Sequence, residues 1–508
     1  MKIPSDSARR SGFFKSRTTL VAFSVLVAGA LPGHADALQW ANAEGGLFQT
    51  GTNWTGNVAP GSGDEAWFTL DDDYDVSFSG NVGNQALVVN HGGVNFDLGG
   101  STYTLTNTGT NFSLSTTGTG SLTFTNGTIA ATASSIAGAS GTQGTLTLGS
   151  GAIFTGTSIV LGGPGSGIMN LQAGGSATFS STVHIGTGTA ASSLTVSGAG
   201  AQFTTTSTFR VGLENNGETQ HSVLVSNGGK VSTGATQIGH NKAGSNGKVT
   251  VTGQNSSWTA SSLYVGQIGK GELEVTNGAT VQSSWSFIGS DVGSSGKVRV
   301  DGTGSAWTNT SGLYVGGFNT STTGKGAAVL EVSNGGVVSA SNAGLHNYST
   351  GTITGNGTLV VNTLNNRGVI NPGLATATTG TTLTITGNLV SNDTPTLNFR
   401  IFDDGTNDRL AISGNLGLGG TLNLDFTDYA WLGGEDTFQL FTWGGNLTGT
   451  FAAVTITGWN PAYVDLADLY TTGSITVIPE PGLAWLLPLG LGVVLVARRR
   501  KTTAAGRH

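Results

Sequence analysis

The chain has 508 residues, of which 84 are glycine, only 10% are charged and none is cysteine. A typical soluble domain carries about 25% charged residues and about 7% glycine, so the polar surface here must be built from Ser, Thr, Asn and Gly. The lack of cysteine excludes a disulfide framework, thiolate metal sites and thiol catalysis. Recurrent apolar β-formers and a modest net charge of −7 exclude a disordered chain. They favour many short strands joined by tight turns.

The first 37 residues have the three parts of a secretory signal peptide. A basic leader is followed by an apolar run at residues 20–31, and Ala35 and Ala37 then give the small-x-small pattern of a cleavage site. The 12-residue run is too short for a membrane span. Arg9 and Arg10 suggest twin-arginine export as an alternative, but their spacing to the following phenylalanines is one residue too long, so the Sec machinery is favoured.

The C-terminus carries a second targeting pattern. Residues 482–497 contain no charge, and four basic residues follow them: Arg498, Arg499, Arg500 and Lys501. Although a full span needs about 20 apolar residues, this pattern predicts a C-terminal transmembrane helix with its basic end in the cytoplasm. A plain membrane anchor is one interpretation.

Pro479, Glu480 and Pro481 directly precede the apolar run and favour a second interpretation. The order Pro-Glu-Pro, apolar run and basic cluster resembles the PEP-CTERM sorting signal of Gram-negative bacteria. The resemblance implies that an exosortase in the inner membrane recognises the signal and cleaves the anchored precursor near Pro-Glu-Pro. It also implies an association with exopolysaccharide and biofilm.

Without its two ends the chain is acidic. Residues 38–479 hold 11 Lys and Arg against 25 Asp and Glu, a net charge of −14. Such a chain repels phosphate backbones and anionic lipid surfaces. We therefore expect no nucleic-acid partner.

The middle of the chain is periodic. A tetrad that ends in glycine recurs at intervals of 24, 26, 27, 27, 23 and 27 residues, with its glycines at Gly162, Gly186, Gly212, Gly239, Gly266, Gly289 and Gly316. Each repeat contains short segments of alternating apolar residues. A period of this length predicts stacked turns, and the parallel β-helix is favoured over a propeller because propeller blades need about 40 residues.

Aligning the strand that follows each glycine places apolar residues at its second and fourth positions. The first position then reads Lys248, Glu272 and Lys297, and the third reads Glu274, Arg299 and Glu331. Both columns alternate in sign from turn to turn, so opposite charges would meet on the outside of the stack. We interpret these residues as a register ladder and not as a catalytic or ligand-binding row.

The repeat units include the stretch from Val300 to Trp307 and the Asn-Gly motif at Asn334. They resemble the repeats of autotransporter passenger domains and related surface proteins. Four segments after them, 367–373, 383–388, 408–414 and 418–422, are similar to the closing part of such passengers. The resemblance implies an extended β-helix displayed outside the cell.

Three tryptophans, Trp40, Trp54 and Trp67, precede the repeats. We interpret this segment as a cap over the open end of the solenoid, where strand edges would otherwise pair with other chains. The alternative is a carbohydrate-contact platform formed by Trp54 and Trp67.

No catalytic motif or zinc-ligand spacing occurs in the sequence, and no cofactor is expected. The acidic clusters at 71–75 and 403–408 have enough oxygen ligands for calcium, but they match no calcium loop and are interpreted as solvated turns. We therefore expect a non-enzymatic surface or matrix protein with a structural or adhesive role. The alternatives are a polysaccharide-degrading β-helix enzyme and a carbohydrate-binding protein.

The predicted fold class is all-β: a parallel β-helix with an N-terminal cap, a β-rich C-terminal module and a transmembrane helix. The predicted parts are a signal peptide at 1–37, a cap module at 38–100, β-helix repeats at 101–370, a passenger-end-like module at 371–476 and the sorting signal at 477–508.

Overall fold

The computed structural model describes residues 36–213, 219–318, 323–431 and 434–478. In these ranges the chain forms 46 strands and three short 3₁₀ helices, Gly51–Asn53, Thr55–Asn57 and Pro461–Tyr463.

The strands are numbered in chain order. The first sixteen are β1 Ala37–Gln39, β2 Gly46–Leu47, β3 Glu65–Phe68, β4 Asp73–Ser77, β5 Val82–Asn84, β6 Ala86–Val89, β7 Gly92–Asp97, β8 Thr102–Leu105, β9 Thr110–Leu114, β10 Gly120–Thr125, β11 Gly127–Ala130, β12 Ala133–Ile136, β13 Gln143–Leu148, β14 Ala152–Gly156, β15 Ser158–Leu161 and β16 Ser166–Leu171. The next sixteen are β17 Ser176–Phe179, β18 Val183–Ile185, β19 Ser193–Ser197, β20 Gln202–Thr205, β21 Phe209–Val211, β22 His221–Ser226, β23 Lys230–Ile238, β24 Asn246–Thr252, β25 Ser257–Val265, β26 Lys270–Thr276, β27 Thr280–Ile288, β28 Ser295–Asp301, β29 Ala306–Val315, β30 Ala327–Ser333, β31 Val337–Ala340 and β32 Gly344–Asn347. The last fourteen are β33 Gly351–Gly355, β34 Thr358–Asn366, β35 Val369–Pro372, β36 Thr382–Ser391, β37 Thr396–Phe402, β38 Arg409–Ile412, β39 Leu416–Gly417, β40 Thr421–Asp428, β41 Asp436–Gln439, β42 Phe441–Trp443, β43 Leu447–Thr448, β44 Ala453–Thr457, β45 Val464–Asp465 and β46 Ser474–Val477.

Successive turns wind around three faces. The first face is a single column of parallel strands: β2, β4, β7, β10, β13, β16, β19, β22, β24, β26, β28, β30, β33, β35, β37, β40 and β44. The other strands of the turns form one 26-stranded sheet that bends into a second face, represented by β8, β11 and β14, and a third face, represented by β9, β12 and β15. Long strands such as β25 and β27 cross both of these faces. The parallel stacking of turns continues without interruption across residues 100 and 370, where boundaries between modules were predicted.

The interior is an apolar column because alternate residues of each strand point inward. Val249, Leu273 and Val298 lie opposite one another in three successive turns and are fully buried. Burying a side chain of this size contributes about 1.5–3 kcal/mol. One continuous core cluster runs from Trp40 to Val477.

The repeated glycines are needed where the chain leaves the third face. Gly239 and Gly266 have φ of +67° and +70°, a region that side chains with a Cβ rarely adopt. A Cβ at Gly239 would also overlap the carbonyl oxygen of Lys270 in the next turn, and one at Gly266 would overlap that of Ser295. The glycine period of the sequence therefore corresponds to one tight corner in each turn of the solenoid.

The two ends of the stack are covered differently. At the N-terminal end, buried rings including Trp40 and Trp54 pack edge to face with centroids 5.1 Å apart. At the C-terminal end, β41, β46 and β45 form a small antiparallel sheet beyond the last parallel turns.

The predicted all-β parallel solenoid is confirmed, and the propeller alternative is excluded. The predicted fold class is wrong in one element, the transmembrane helix. In the ranges described above, each helix is a three-residue 3₁₀ turn, and none is long and apolar enough to cross a membrane. Residues 482–497, where that helix was predicted, lie outside the described residues.

Candidate functional site

The charged residues of the predicted ladder lie on the outer surface of the first face. Register between β24, β26, β28 and β30 aligns them in two columns, Lys248–Glu272–Lys297 and Glu274–Arg299–Glu331. The Lys248 ammonium lies 3.4 Å from the Glu272 carboxylate and 3.0 Å from that of Glu274. The Arg299 guanidinium lies 3.1 Å from Glu331 and 3.0 Å from Asp301.

These contacts raise the pKa of Lys248. Burial lowers the pKa of Lys248, but the hydrogen bond to Glu274 and the charges of Glu272 and Glu274 outweigh burial and hold this pKa above its ordinary value. The carboxylates are thus engaged by neighbouring cations, which suits a register role better than acid–base chemistry.

The tryptophans near the N-terminus have mainly structural contacts. Trp54 is only 1% exposed, and its indole N–H donates to the carbonyl oxygen of Phe48 at 2.7 Å. The alternative that Trp54 contacts carbohydrate is therefore wrong, because its ring is enclosed in the core. Trp67 is half-buried, and its indole N–H donates to the Glu65 carboxylate at 2.8 Å.

The acidic clusters are occupied by local hydrogen bonds. Asp72 accepts from the amide of Asp73 at 2.9 Å, and Asp404 accepts from the amide and hydroxyl of Thr406. Within the described residues, no group of three or more His, Asp or Glu side chains is placed to hold a metal ion.

A groove of about 500 Å³ opens on the first face near the C-terminal end. Its lining includes an amide ladder, in which Asn398 donates to Asn371 at 2.6 Å and Asn423 donates to Asn398 at 2.8 Å. Arg400 and Asp425 also line it. Carboxylates combined with a basic group are the composition that a sugar-cleaving site requires, so their state decides what this groove can do.

The charged side chains of the groove are engaged in contacts with other groups of the same chain. Arg400 donates from Nε to the buried Asp408 carboxylate at 2.8 Å, and its other nitrogens donate to the carbonyl oxygens of Leu374, Ala375 and Ala377. Burial raises the pKa of Asp408 even though Arg400 opposes this shift. Arg400 thus ties the loop after β35 to the solenoid wall.

Asp425, the other acidic group of the groove, is also engaged. Burial raises its pKa, but hydrogen bonds from Thr427 and Thr457 outweigh burial and hold the pKa below its ordinary value. The low pKa keeps Asp425 ionised near neutral pH, so this carboxyl is unsuited to act as a general acid.

A row of aromatic rings lies on the outside of the third face. Tyr264, Phe287, Tyr314 and His346 are opposite one another in successive turns. Their neighbouring centroids are 4.9, 5.2 and 5.0 Å apart with interplanar angles of 19°, 14° and 8°. Burial lowers the pKa of His346, which keeps this ring neutral near pH 7. We call these four residues the outer aromatic row.

Two further rings stack on this row and remain exposed. Phe318 stacks on Phe287 with centroids 4.5 Å apart, and Tyr348 fixes it by donating its hydroxyl to the Phe318 carbonyl oxygen at 2.9 Å. Trp285 stacks on Tyr314 with centroids 6.1 Å apart. The exposed fractions are 36% for Phe318 and 38% for Trp285.

The sequence interpretation missed the outer aromatic row, although a pattern for it exists. The second residue of three consecutive glycine tetrads is aromatic: Tyr264, Phe287 and Tyr314. That position points outward, so an aromatic residue recurring there indicates a surface row and not core packing.

The predicted targeting residues cannot be placed. Ala35, Pro479, Glu480, Pro481 and the basic cluster 498–501 lie outside the described residues. Ala37 begins β1 and pairs with Glu65, so the predicted cleavage after Ala37 falls inside the first strand.

Comparisons with known proteins assign no family. No protein-family model matches the chain, and no curated protein matches it. A solved structure described as the TibC-catalysed hyper-glycosylated TibA55-350 fragment is similar over 83% of this chain and 97% of that chain, with 14% identity and a TM-score of 0.34. A similarity this low attributes no ligand, partner or activity to the present chain.

Proposed function

We propose that this chain is an exported, non-enzymatic protein of the cell surface or extracellular matrix of a Gram-negative bacterium, with a structural or adhesive role. The observation that carries this proposal is the form of the molecule, a continuous three-faced parallel solenoid. Such a rod exposes a large surface for contact with matrix polymers, and exopolysaccharide is the partner that we propose.

The state of the C-terminal groove favours this function over sugar cleavage. Hydrolysis of a glycosidic bond needs a carboxyl that can donate a proton and a second carboxylate opposite it. Here Asp408 is bound to Arg400 and Asp425 is bound to two threonines. Both carboxyls are thus engaged in contacts within the protein, which supports a structural role for them.

The route to the surface is proposed from the tail of the sequence. We propose that an exosortase recognises Pro479, Glu480 and Pro481 together with the basic cluster at 498–501, after Sec-dependent export. The resemblance of this tail to the PEP-CTERM signal supports that route.

The test of the route is fractionation of cells with and without the exosortase. We expect mature protein to leave the inner membrane only where the exosortase is present. Replacing Pro479, Glu480 and Pro481 by alanine should abolish release, whereas the matched double variant Thr502→Ala/Thr503→Ala should be released normally. Release of the triple variant, or release without the exosortase, would contradict the proposal.

The non-enzymatic part is tested separately by incubating the purified full-length protein with a panel of acidic and neutral polysaccharides. We expect no release of reducing ends above the level of the Arg400→Met/Asp408→Leu variant. Reducing ends formed by the wild-type protein alone would establish the enzyme alternative.

A further inference from the structure

Trp285 is flanked by small residues at the same position of the neighbouring turns. In register, Trp285 follows Ser262 of the preceding turn and precedes Gly312 of the next, and Gly344 continues the column. A large ring is therefore set among small residues.

Gly312 makes room for this ring. A Cβ built on Gly312 would lie 3.1 Å from Cζ3 of Trp285, 3.1 Å from Cβ of Ala343 and 3.2 Å from Cε2 of Tyr314. Trp285 thus leans over the glycine and is held against Tyr314, with an interplanar angle of 20°. This packing fixes the orientation of the indole before any ligand binds.

A bulge at the same corner shapes the polar surroundings. Between Ser283 and Trp285 the register shifts, so that β29 supplies two residues, Thr310 and Ser311, where β27 supplies Ser284 alone. The hydroxyls of Ser284 and Ser311 are 3.0 Å apart. Bulges of this kind commonly re-aim side chains next to binding sites.

One side of the indole is without an aromatic neighbour. Tyr314 stacks on the side that faces the next turn, and among the described residues no second ring stacks on Trp285. The preceding turn offers only the small, half-buried Ser262 at this position of the column. Strands in successive turns are about 4.8 Å apart, so a flat ring of roughly that thickness can continue the stack over Ser262.

We propose that Trp285 and the hydroxyls of Ser262, Ser284 and Ser311 form a binding site for a sugar ring of a neutral polysaccharide. The C–H groups of a pyranose carry partial positive charge and pack on the negative face of an indole, while its hydroxyls exchange hydrogen bonds with serines. None of these groups carries a charge, which favours a neutral chain over an acidic one. At this corner Trp285 and Phe318 are the strongly exposed rings.

This inference deepens the proposed function by naming the polymer class, and it rests on that function only in requiring that a polysaccharide reaches the chain. The test uses the purified full-length protein, so its outcome does not depend on exosortase processing. Native gels containing hydroxyethyl cellulose, xyloglucan, galactomannan or mixed-linkage glucan serve as neutral probes, and gels containing alginate serve as the acidic comparison.

We expect at least one neutral probe to retard the wild-type protein. Trp285→Ala should raise the dissociation constant by at least about tenfold, as expected for losing one stacked aromatic and its buried area. Trp285→Phe should retain most of the binding. Gly312→Ala should weaken binding while keeping the indole, because the new Cβ displaces it.

Trp443→Ala is the control, since it removes a partly exposed tryptophan from another part of the solenoid, and it should bind like the wild-type protein. Equal melting temperatures for Trp285→Ala and wild type exclude unfolding as the cause. Three outcomes would overturn the proposal: no retardation by any neutral probe, retardation by alginate alone, or unchanged binding of Trp285→Ala.

Discussion

The Lys248 ammonium lies closer to Glu274, at 3.0 Å, than to Glu272, at 3.4 Å, although backbone register places Lys248 directly opposite Glu272. The ladder is therefore partly diagonal, with one cation serving two carboxylates of the next turn.

A double-mutant cycle tests this diagonal contact. Lys248→Met and Glu274→Gln, singly and together, should give a coupling free energy of about 0.5 kcal/mol, because both side chains are roughly a quarter exposed and surface pairs are weak. The measurement is denaturant unfolding in low salt and again in 1 M NaCl, where screening should remove the coupling. The exposed Lys297→Met variant combined with Glu274→Gln is the control and should show none. Equal coupling in both salts would contradict an ionic origin.

The buried pair Arg400–Asp408 should matter far more. Arg400→Met leaves the Asp408 carboxylate, 1% exposed, without its partner, so we expect a loss of about 3–5 kcal/mol in the free energy of unfolding. Arg400→Met/Asp408→Leu should recover much of that loss because no charge then remains buried. Arg367→Met is the matched control, since its partner Asp393 is 67% exposed, and should cost under about 1 kcal/mol. Similar losses for the two arginines would refute the assignment.

The buried His221 should make stability depend on pH. Burial lowers its pKa below 6.5, although a hydrogen bond to the Gly188 backbone partly opposes this shift. The unfolded chain consequently binds more protons than the folded chain as the pH falls below about 6.5, so stability should decrease through that range. His221→Asn should flatten the decrease. Melting temperatures of both proteins between pH 8 and pH 5 measure it, with pH 8 giving the pH-independent cost of the substitution. Parallel curves would be inconsistent with a neutral buried His221.

The corner glycines can be tested by comparing two substitutions with similar backbone angles. Gly239 has φ of +67° and a Cβ there would overlap Lys270, whereas Gly293 has φ of +81° and open space around it. Gly293→Ala should cost about 1–2 kcal/mol from the left-handed backbone alone. Gly239→Ala should cost clearly more, or prevent folding, because the next turn must move. Circular dichroism and denaturant unfolding give both values, and equal costs would show that close stacking is unimportant at this corner.

The straight parts of the turns could be predicted from the sequence because alternation has a fixed period of two. In the segment around Val249 and Val251, apolar positions point inward and the residues between them point outward. Stacking such segments in register then aligns Lys248 with Glu272 without any further information.

The corners could not be predicted by the same rule. In β27 two neighbouring residues, Ser284 and Trp285, both escape burial because the chain bends there from one face to the next. The inward positions are odd-numbered before this point and even-numbered after it, so Trp285 faces outward. Trp258 and Trp307 of the neighbouring turns align with Val281, before the bend, and are buried. The burial of Asp408 was also unpredictable, since it depends on the loop after β35, where the Thr381 amide donates to the Asp408 carboxylate.

The hydrogen bonds between turns have a mechanical consequence. They run along the long axis of the rod, because strands lie across it, so a pull on the two ends loads all turns in series. The hydrogen bonds that join one turn to the next are spread over three faces and share the load in parallel. β26 and β28 are joined through seven residue pairs, whereas β35 and β37 are joined through only two, Val369 with Thr396 and Ile370 with Leu397. β2 and β4 are likewise joined through only two pairs, Gly46 with Val76 and Leu47 with Ser77. Under tension the rod should therefore first part on this face at one of these two places, leaving the long middle turns intact.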